Sequence, residues 1–426
     1  MERFDSYTDA QLKDIKSQLE EKYNSYKEMG LSLNMARGKP CPEQLDISLP
    51  LLDCVNSVSG YNDREGLDCR NYGVLGGIPE CRELFAQMLD VPVKNVLLGG
   101  NSSLQLMFDY VTQCMMPNAL GEGWAANGGK VKFLCPCPGY DRHFAICEYY
   151  GIEMINIDMT ENGPDMNQVR EYVKDSSVKG MFCVPKYSNP QGYTYSDEVV
   201  REIAQLKPAA DDFRIIWDNA YIVHELSDEP DNLLNIFPLL EEYSNEDMVV
   251  EFASTSKISF PGAGVAVIAA SDNNMKAIKK RWGTQIISYD KINQLRHSRY
   301  FKDVDGLKAH MEKHKDIIKP KFDLVIRDFN EKLGGKGIAK WTEPKGGYFI
   351  SLDVMPGTAT RVGELCSQAG VTLTDIGATY PYGKDPLDSN IRVAPTFPNI
   401  EELAMCSDIL CVCVQIAAVE KLLSER

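Results

Sequence analysis

A chain of 426 residues is too long for one ordinary domain and long enough to bury a sizeable core, so two domains are expected. Its 61 acidic residues outnumber 45 basic ones for a net charge of −16, which argues against a nucleic-acid partner or an anionic membrane surface. The composition, 44% hydrophobic and 25% charged, is that of a globular protein, and no apolar run reaches the ~20 residues of a membrane span.

The N-terminus, MERFDSYTDAQLKDIK, is charged and helical in pattern and has no signal-peptide core. Helical spacing of apolar residues continues over 8–29 and stops at Gly30. An extended, proline-punctuated stretch follows, LSLNMARGKPCPEQLDIS. From about residue 80 helices and strands alternate. Helical ECRELFAQML precedes the strand NVLLGG, and helical SSLQLMFDYVTQCM precedes the strand KVKFLCP. The helices DRHFAICEYY, PDMNQVREYVK and DEVVREIAQL then lead to the strands EMINIDM, KGMFCVP and FRIIWD. Two last apolar runs, MVVEFAS and GVAVIAA, flank Lys257.

This alternation predicts an α/β fold with a mainly parallel sheet and helices on both faces. Beyond about residue 300 a long charged helix precedes the strands AKWTEP and GGYFISLDV and two more helices. That change indicates a smaller α+β domain. The expected division is 1–47 as a helix and arm joining the small domain, 48–305 as the large domain, and 306–426 as the small domain.

Thirteen cysteines, an odd number spread over the chain, fit a reducing cytosol better than a disulfide framework. The close pairs Cys135-Pro-Cys137 and Cys411-Val-Cys413 lack the two-residue spacing of a zinc knuckle, so no metal site is expected.

Ligands of open parallel sheets bind beyond the carboxyl ends of the strands. Those ends carry Gly100-Asn101-Ser102-Ser103, Pro138-Gly139-Tyr140, Ser188-Asn189-Pro190, Asp218-Asn219-Ala220-Tyr221 and Ser254-Thr255-Ser256-Lys257. The first lies between a strand and a helix, where free N–H groups and hydroxyls suit a phosphate; simple N-capping by Ser102 or Ser103 suits the same residues. Neither GxxxxGK[ST] nor the G-x-G-x-x-G of dinucleotide binders is present; Gly262-Ala263-Gly264 continues to Val267 and precedes a strand. Asp218 ends an apolar strand, as a helix cap or as a fixed negative charge facing a cation. Tyr140 is suited to stacking on a flat ring, and Asn189 and Tyr221 to bonding a ring oxygen. A flat cationic ring with a phosphate and a hydroxyl, reached by a lysine amine, describes pyridoxal phosphate.

These segments resemble, in order, the motifs of the fold-type-I, class I pyridoxal-phosphate aminotransferases. NYGVLGGIPECRELFA is similar to the Tyr-x-x-x-Gly-Gly segment, GGNSSL to the phosphate turn and CPCPGYDRHF to the ring-stacking loop. SNPQG, WDNAY, STSK and IRVAPTFP match the Asn-Pro-x-Gly, Asp-x-x-Tyr, Ser-x-x-Lys and C-terminal arginine motifs. The resemblance implies a large domain built on a seven-stranded sheet and a set of roles. Lys257 would be the covalent attachment point and proton shuttle. Asp218 would pair with the pyridine nitrogen, Asn189 and Tyr221 with the ring oxygen, and Tyr140 would stack on the ring. Asn101, Ser102, Ser103 and Ser254 would hold the phosphate. Tyr72 would reach the phosphate of a neighbouring subunit, which implies a homodimer. Arg392 would clamp the substrate α-carboxylate, with Gly38 close by.

One departure stands out. The family usually carries an arginine shortly after the lysine to neutralise the phosphate, whereas this segment runs from Lys257 to Val265 with none. That absence, with MARGKP near the start, is similar to the divergent bacterial MocR-like, or subgroup Ic, aspartate aminotransferases. Because the chain begins with the aminotransferase arm, a transcription factor is not expected. The branch implies transfer of an amino group from aspartate or glutamate to 2-oxoglutarate or oxaloacetate by a ping-pong mechanism. Arg37, Lys39 and Lys291 are the candidates for binding a distal carboxylate. A carbon–sulfur lyase or decarboxylase on the same scaffold, or a non-catalytic binding protein, are the alternatives.

Overall fold

The computed structural model describes residues 2–118 and 120–426. Its strands, in chain order, are β1 (Leu33–Asn34), β2 (Val96–Leu98), β3 (Lys132–Cys137), β4 (Glu153–Thr160), β5 (Gly163–Pro164), β6 (Val178–Cys183) and β7 (Arg214–Asp218). They continue with β8 (Val249–Ser254), β9 (Ala266–Ala270), β10 (Ala339–Trp341), β11 (Ile350–Val354), β12 (Val371–Thr372) and β13 (Asn390–Val393).

Runs such as RIIWD and VVEFAS are buried at every position, because helices cover both faces of the sheet they form. That sheet has eight strands in the order β2-β9-β8-β7-β6-β3-β4-β5. The central pairs β8/β7, β7/β6, β6/β3 and β3/β4 are parallel, while β9 runs antiparallel to both β8 and β2. The sheet is thus mainly parallel, with one strand more than expected. The eighth, β5, is a two-residue antiparallel return on β4, too short for apolar periodicity to register.

A second sheet, β10-β11-β13, is antiparallel throughout. The helix Asp9–Glu28, started by a reciprocal Thr8–Gln11 capping box, packs along the helix Ile400–Ser424. A parallel pairing of β1 with β12, which local pattern does not announce, ties the N-terminal arm to the C-terminal third of the chain. Among the described residues Ile400–Ser424 is the one helix long and apolar enough to cross a membrane, contrary to the expectation of no such run. Its apolar window is 78% buried inside the fold, in the cluster that also holds Phe322, Phe329 and Leu352, so its hydropathy is that of a core helix. The thirteen cysteines are all free, and twelve of them are buried.

Glu251 on β8 is a buried carboxyl whose Oε1 accepts a 2.7 Å hydrogen bond from Asn219 Nδ2. Burial pushes its pKa up to about 8, against a smaller lowering by Asn219. A folded-state value above the unfolded one means the folded chain holds the proton more tightly. The resulting stability is complete below the unfolded pKa of 4.5 and is lost as pH rises through about 8. Glu251→Gln removes this term. The melting temperature of the unaltered protein should therefore fall more steeply between pH 5 and 8.5 than that of the variant, by differential scanning calorimetry. Equal slopes would contradict the assignment.

Candidate active site

The carboxyl ends of the parallel strands converge on Lys257. The turn that carries it leaves β8 through Ser254, and its small residues bond one another. Thr255 Oγ1 accepts from the backbone N–H of Val265 at 2.9 Å, Ser254 Oγ donates to Ser256 Oγ at 2.9 Å, and Ser256 Oγ donates to the Asn101 carbonyl at 3.2 Å. The last bond joins the lysine turn to the turn after β2. The Lys257 amine lies 5.0 Å from the ring centroid of Tyr221 and 5.7 Å from that of Tyr348. The residue keeps some exposure, but its amine is enclosed by these rings, and burial holds its pKa below that of a free lysine. The Asp218 charge opposes that shift and Arg392 adds to it. The product is an amine closer to its neutral, nucleophilic form than a surface lysine.

Asp218 ends β7 and is 3% exposed. Its Oδ2 lies 2.9 Å from Nε2 of His143, whose ring stacks on Phe182 at 4.4 Å and 9°. Its Oδ1 is buried and has no hydrogen-bond partner among the described residues. A buried carboxylate oxygen left this way is costly unless a donor or cation meets it. Tyr140 occupies the N-cap of the helix Asp141–Tyr150, one turn before His143, and the two rings meet edge-to-face at 4.9 Å. Burial, then the Asp218 charge, push the Tyr140 phenol up to about 12, and burial likewise raises Tyr221. Both stay protonated donors across the neutral range.

Arg392 projects from β13 and is 8% exposed. Its Nη1 donates to Asp141 Oδ1 at 2.8 Å and to Asn189 Oδ1 at 3.3 Å, and its guanidinium lies 4.9 Å from the ring centroid of Phe349. Phe349 in turn packs on Gly38, where a Cβ would stand 2.4 Å from the ring. The glycine at position 38 is therefore required by the ring beneath the arginine.

At the other end, Ser102 caps the helix Ser103–Met115, its hydroxyl accepting from the Gln105 N–H at 3.3 Å, so the capping reading holds for this side chain. The backbone of Asn101, Ser102 and Ser103 still opens the helix, the position at which N–H groups and the helix dipole favour an anion. Val265, near the position where the family usually carries an arginine, is 2% exposed in the hydrophobic core. The amide of Asn101 bonds the Pro261 carbonyl, and that of Asn293 bonds those of Ala263 and Gly264. Neutral amides thus hold this turn.

Three expected residues lie outside the cluster. Tyr72 is 75% exposed. Lys39 sets its amine 3.7 Å from the ring centroid of Phe397. Lys291, a candidate from sequence for binding a distal carboxylate, is buried, its Nζ donating to Ser288 Oγ at 3.0 Å. Conversely, His143, Asp141, Ser256 and Phe349 belong to the site and were not singled out. The one available signal was the spacing of His143, three residues after Tyr140 in a helix that begins at a strand end. A cavity of about 860 Å³ lies apart from Lys257 and is lined in part by Lys186, Asn219, Glu225 and Glu251.

Asp141 occupies the guanidinium that a substrate carboxylate would need. Arg392→Lys, which loses the planar fork, should raise the KM for an amino acid by roughly 10- to 100-fold, the scale of a charge-assisted hydrogen bond. Asp141→Asn, which frees the fork, should lower it. Steady-state kinetics of both variants check this, and an unchanged KM in Arg392→Lys would remove Arg392 from substrate binding.

The pattern of the Aspartate amino-transferase family matches residues 7–426. The aspartate aminotransferase of Corynebacterium glutamicum is 44% identical over 404 residues, covering 94% of this chain and 93% of its own. The crystal structure of an aspartate transaminase from the same species superposes with a TM-score of 0.95 at 42% identity, covering 98% of this chain and 99% of the other. LysN, the α-aminoadipate aminotransferase of Thermus thermophilus, solved with N-(5'-phosphopyridoxyl)-L-leucine, shares the fold with a TM-score of 0.73 at 18% identity, covering 93% of this chain and 94% of its own. The chain belongs to the aspartate aminotransferase family of pyridoxal-phosphate-dependent transaminases.

Proposed function

We propose that the protein is a homodimeric aminotransferase that moves the amino group of aspartate or glutamate to 2-oxoglutarate or oxaloacetate in two half-reactions. The observation that carries this reading is the buried Asp218 carboxylate, one oxygen bonded to His143 and the other free, within one site with Lys257 and Arg392. The free oxygen suits a protonated pyridine nitrogen, the partner that this family's cofactor brings. Pyridoxal phosphate, when bound, accepts the electron pair left at the substrate α-carbon as its proton departs.

The remaining steps belong to the chain. Lys257 attaches the cofactor and, once free as an amine, takes the proton from the α-carbon and returns it at the other end of the transfer. Its lowered pKa suits both duties. Arg392 binds the α-carboxylate, and Phe349 below the guanidinium limits its travel. Asn189 and Tyr221 would bond the cofactor's ring oxygen, and Tyr140 would cover a ring face. The opening of the helix Ser103–Met115, with Ser254, holds the phosphate; no arginine follows the lysine, so amides, hydroxyls and the helix dipole carry that charge. Arg37, next to the Gly38 that packs under Phe349, is the cation we assign to a distal carboxylate. The exposed loop that carries Tyr72 and Val74, together with Ile287, suits an interface that completes the neighbouring site.

The test is a single-turnover half-reaction. Purified, cofactor-loaded protein mixed with aspartate or glutamate should lose its visible absorbance and gain that of the aminated cofactor, and 2-oxoglutarate should restore the original spectrum. No spectral change with either amino acid would refute the substrate assignment. Lys257→Ala should lose turnover by at least ~10³-fold, as expected when a nucleophile that also carries the proton is removed.

A further inference from the structure

All five histidines of the chain are buried, and four of them, His224, His297, His310 and His314, surround the Lys257 turn. His310 and His314 lie one turn apart on the helix Val304–Lys332 and therefore face the same way. Nε2 of His310 is 2.7 Å from the carbonyl oxygen of Ile258, the residue after Lys257, and His314 packs against His310. The two Nε2 atoms are 3.0 Å apart.

The surrounding bonds determine where the protons sit. Gln44 accepts the Cys41 N–H at its Oε1 at 3.1 Å, which orients its amide, so its Nε2 donates to Nδ1 of His314 at 2.9 Å. A His314 ring that accepts at Nδ1 carries its proton on Nε2. His310 must donate from Nε2 to reach a carbonyl, which leaves its Nδ1 without a proton, 3.1 Å from the Tyr300 hydroxyl that also donates to the Ile47 carbonyl at 3.0 Å. His310 therefore points its Nε2–H at the Ile258 oxygen, with Nε2 of His314 beside it. The Ser48 hydroxyl also donates to this carbonyl, at 3.4 Å, and a carbonyl accepts two such bonds comfortably. Burial, the largest influence on both rings, holds His310 below its usual range and His314 down at about 3, so the pair stays neutral. Gln44, Ser48, Tyr300 and Tyr348 around them are uncharged at neutral pH.

We propose that His310 is a positioning residue that clamps the Ile258 carbonyl, with His314 holding the His310 ring from behind, and thereby fixes the peptide from which Lys257 reaches the cofactor. The inference rests on the proposed role of Lys257. Neutral donors suit the task, because a lysine or arginine here would add a positive charge beside an amine whose pKa burial already lowers. The clamp also joins the lysine turn to the long helix Val304–Lys332 and, through Gln44, to the N-terminal arm.

Two measurements on the full chain with bound cofactor test it. In the first, ¹⁵N-histidine NMR should show two resonances, assigned by H310Q and H314Q, as neutral Nε2–H tautomers that do not titrate between about pH 6 and 8. An Nδ1–H tautomer or a titration in that window would overturn the clamp. In the second, H310F and H314F keep the ring's bulk but remove the donor. Each should lower kcat roughly tenfold with KM within about twofold, the pattern of lost positioning at the reacting centre. Each should also raise the pH midpoint of the cofactor's visible absorbance by about half a unit or more, because a looser turn admits water that favours the charged nitrogen. Glutamine, which restores an N–H donor, should recover most of both effects. Folded phenylalanine variants with parental kcat and midpoint would overturn the proposal; if they do not fold, the tautomer measurement decides it. An unaltered protein with no visible absorbance would overturn the function proposed for Lys257 and leave the clamp to the NMR result.

Discussion

A carboxylate 3% exposed, with one oxygen bonded and the other facing no donor, is an expensive object, and much of this site is arranged around it. Desolvating an ionised carboxylate costs several kcal/mol even after relaxation. His143 offsets part of that cost through Oδ2, and Phe182 holds the imidazole plane by stacking. The free Oδ1 supplies what the protein alone does not use, a fixed negative potential at the mouth of the sheet. A cationic heterocycle that accepts it is bound and kept protonated by the same interaction.

The neighbouring charges follow from that potential. Asp218 raises the pKa of Lys257 against the lowering by burial and Arg392, so the amine is held between opposing influences. Arg392 is itself neutralised by Asp141 while no carboxylate is bound, and it rests on an aromatic ring that Gly38 makes room for. The carboxylate pocket is thus prepared at both ends, with an internal anion for the substrate to replace. The lysine turn is held from below by neutral groups alone, so its anchorage leaves the electrostatics of the pocket unchanged.

The strand ends were legible because apolar runs in a doubly covered sheet stop abruptly at small polar residues, and the polar groups that follow meet at one edge. Lys257, Asp218, Asn189, Tyr221, Tyr140 and Arg392 come from such ends or from segments with a recognisable motif. Partnerships between side chains distant in sequence were not legible. Nothing in DRHF says that Asp141 meets Arg392, 251 residues away, or that His143 meets Asp218. Nor does composition reveal that Lys291 folds back on Ser288, or that Val265 turns into the core. The two-residue strands β1, β5 and β12 leave no periodic trace, and their pairing is set by tertiary packing. The C-terminal helix matches a membrane span by length and composition alone, because helical apolarity is the same whether the cover is lipid or protein.

The central claim is that Lys257, facing Asp218, carries the cofactor. Borohydride reduction of the cofactor-loaded protein followed by peptide mass spectrometry tests it most directly. The account predicts one phosphopyridoxyl adduct per chain, on the peptide containing Lys257, and its loss in Lys257→Ala. An adduct on another lysine, or none in a protein that binds the cofactor, would contradict it.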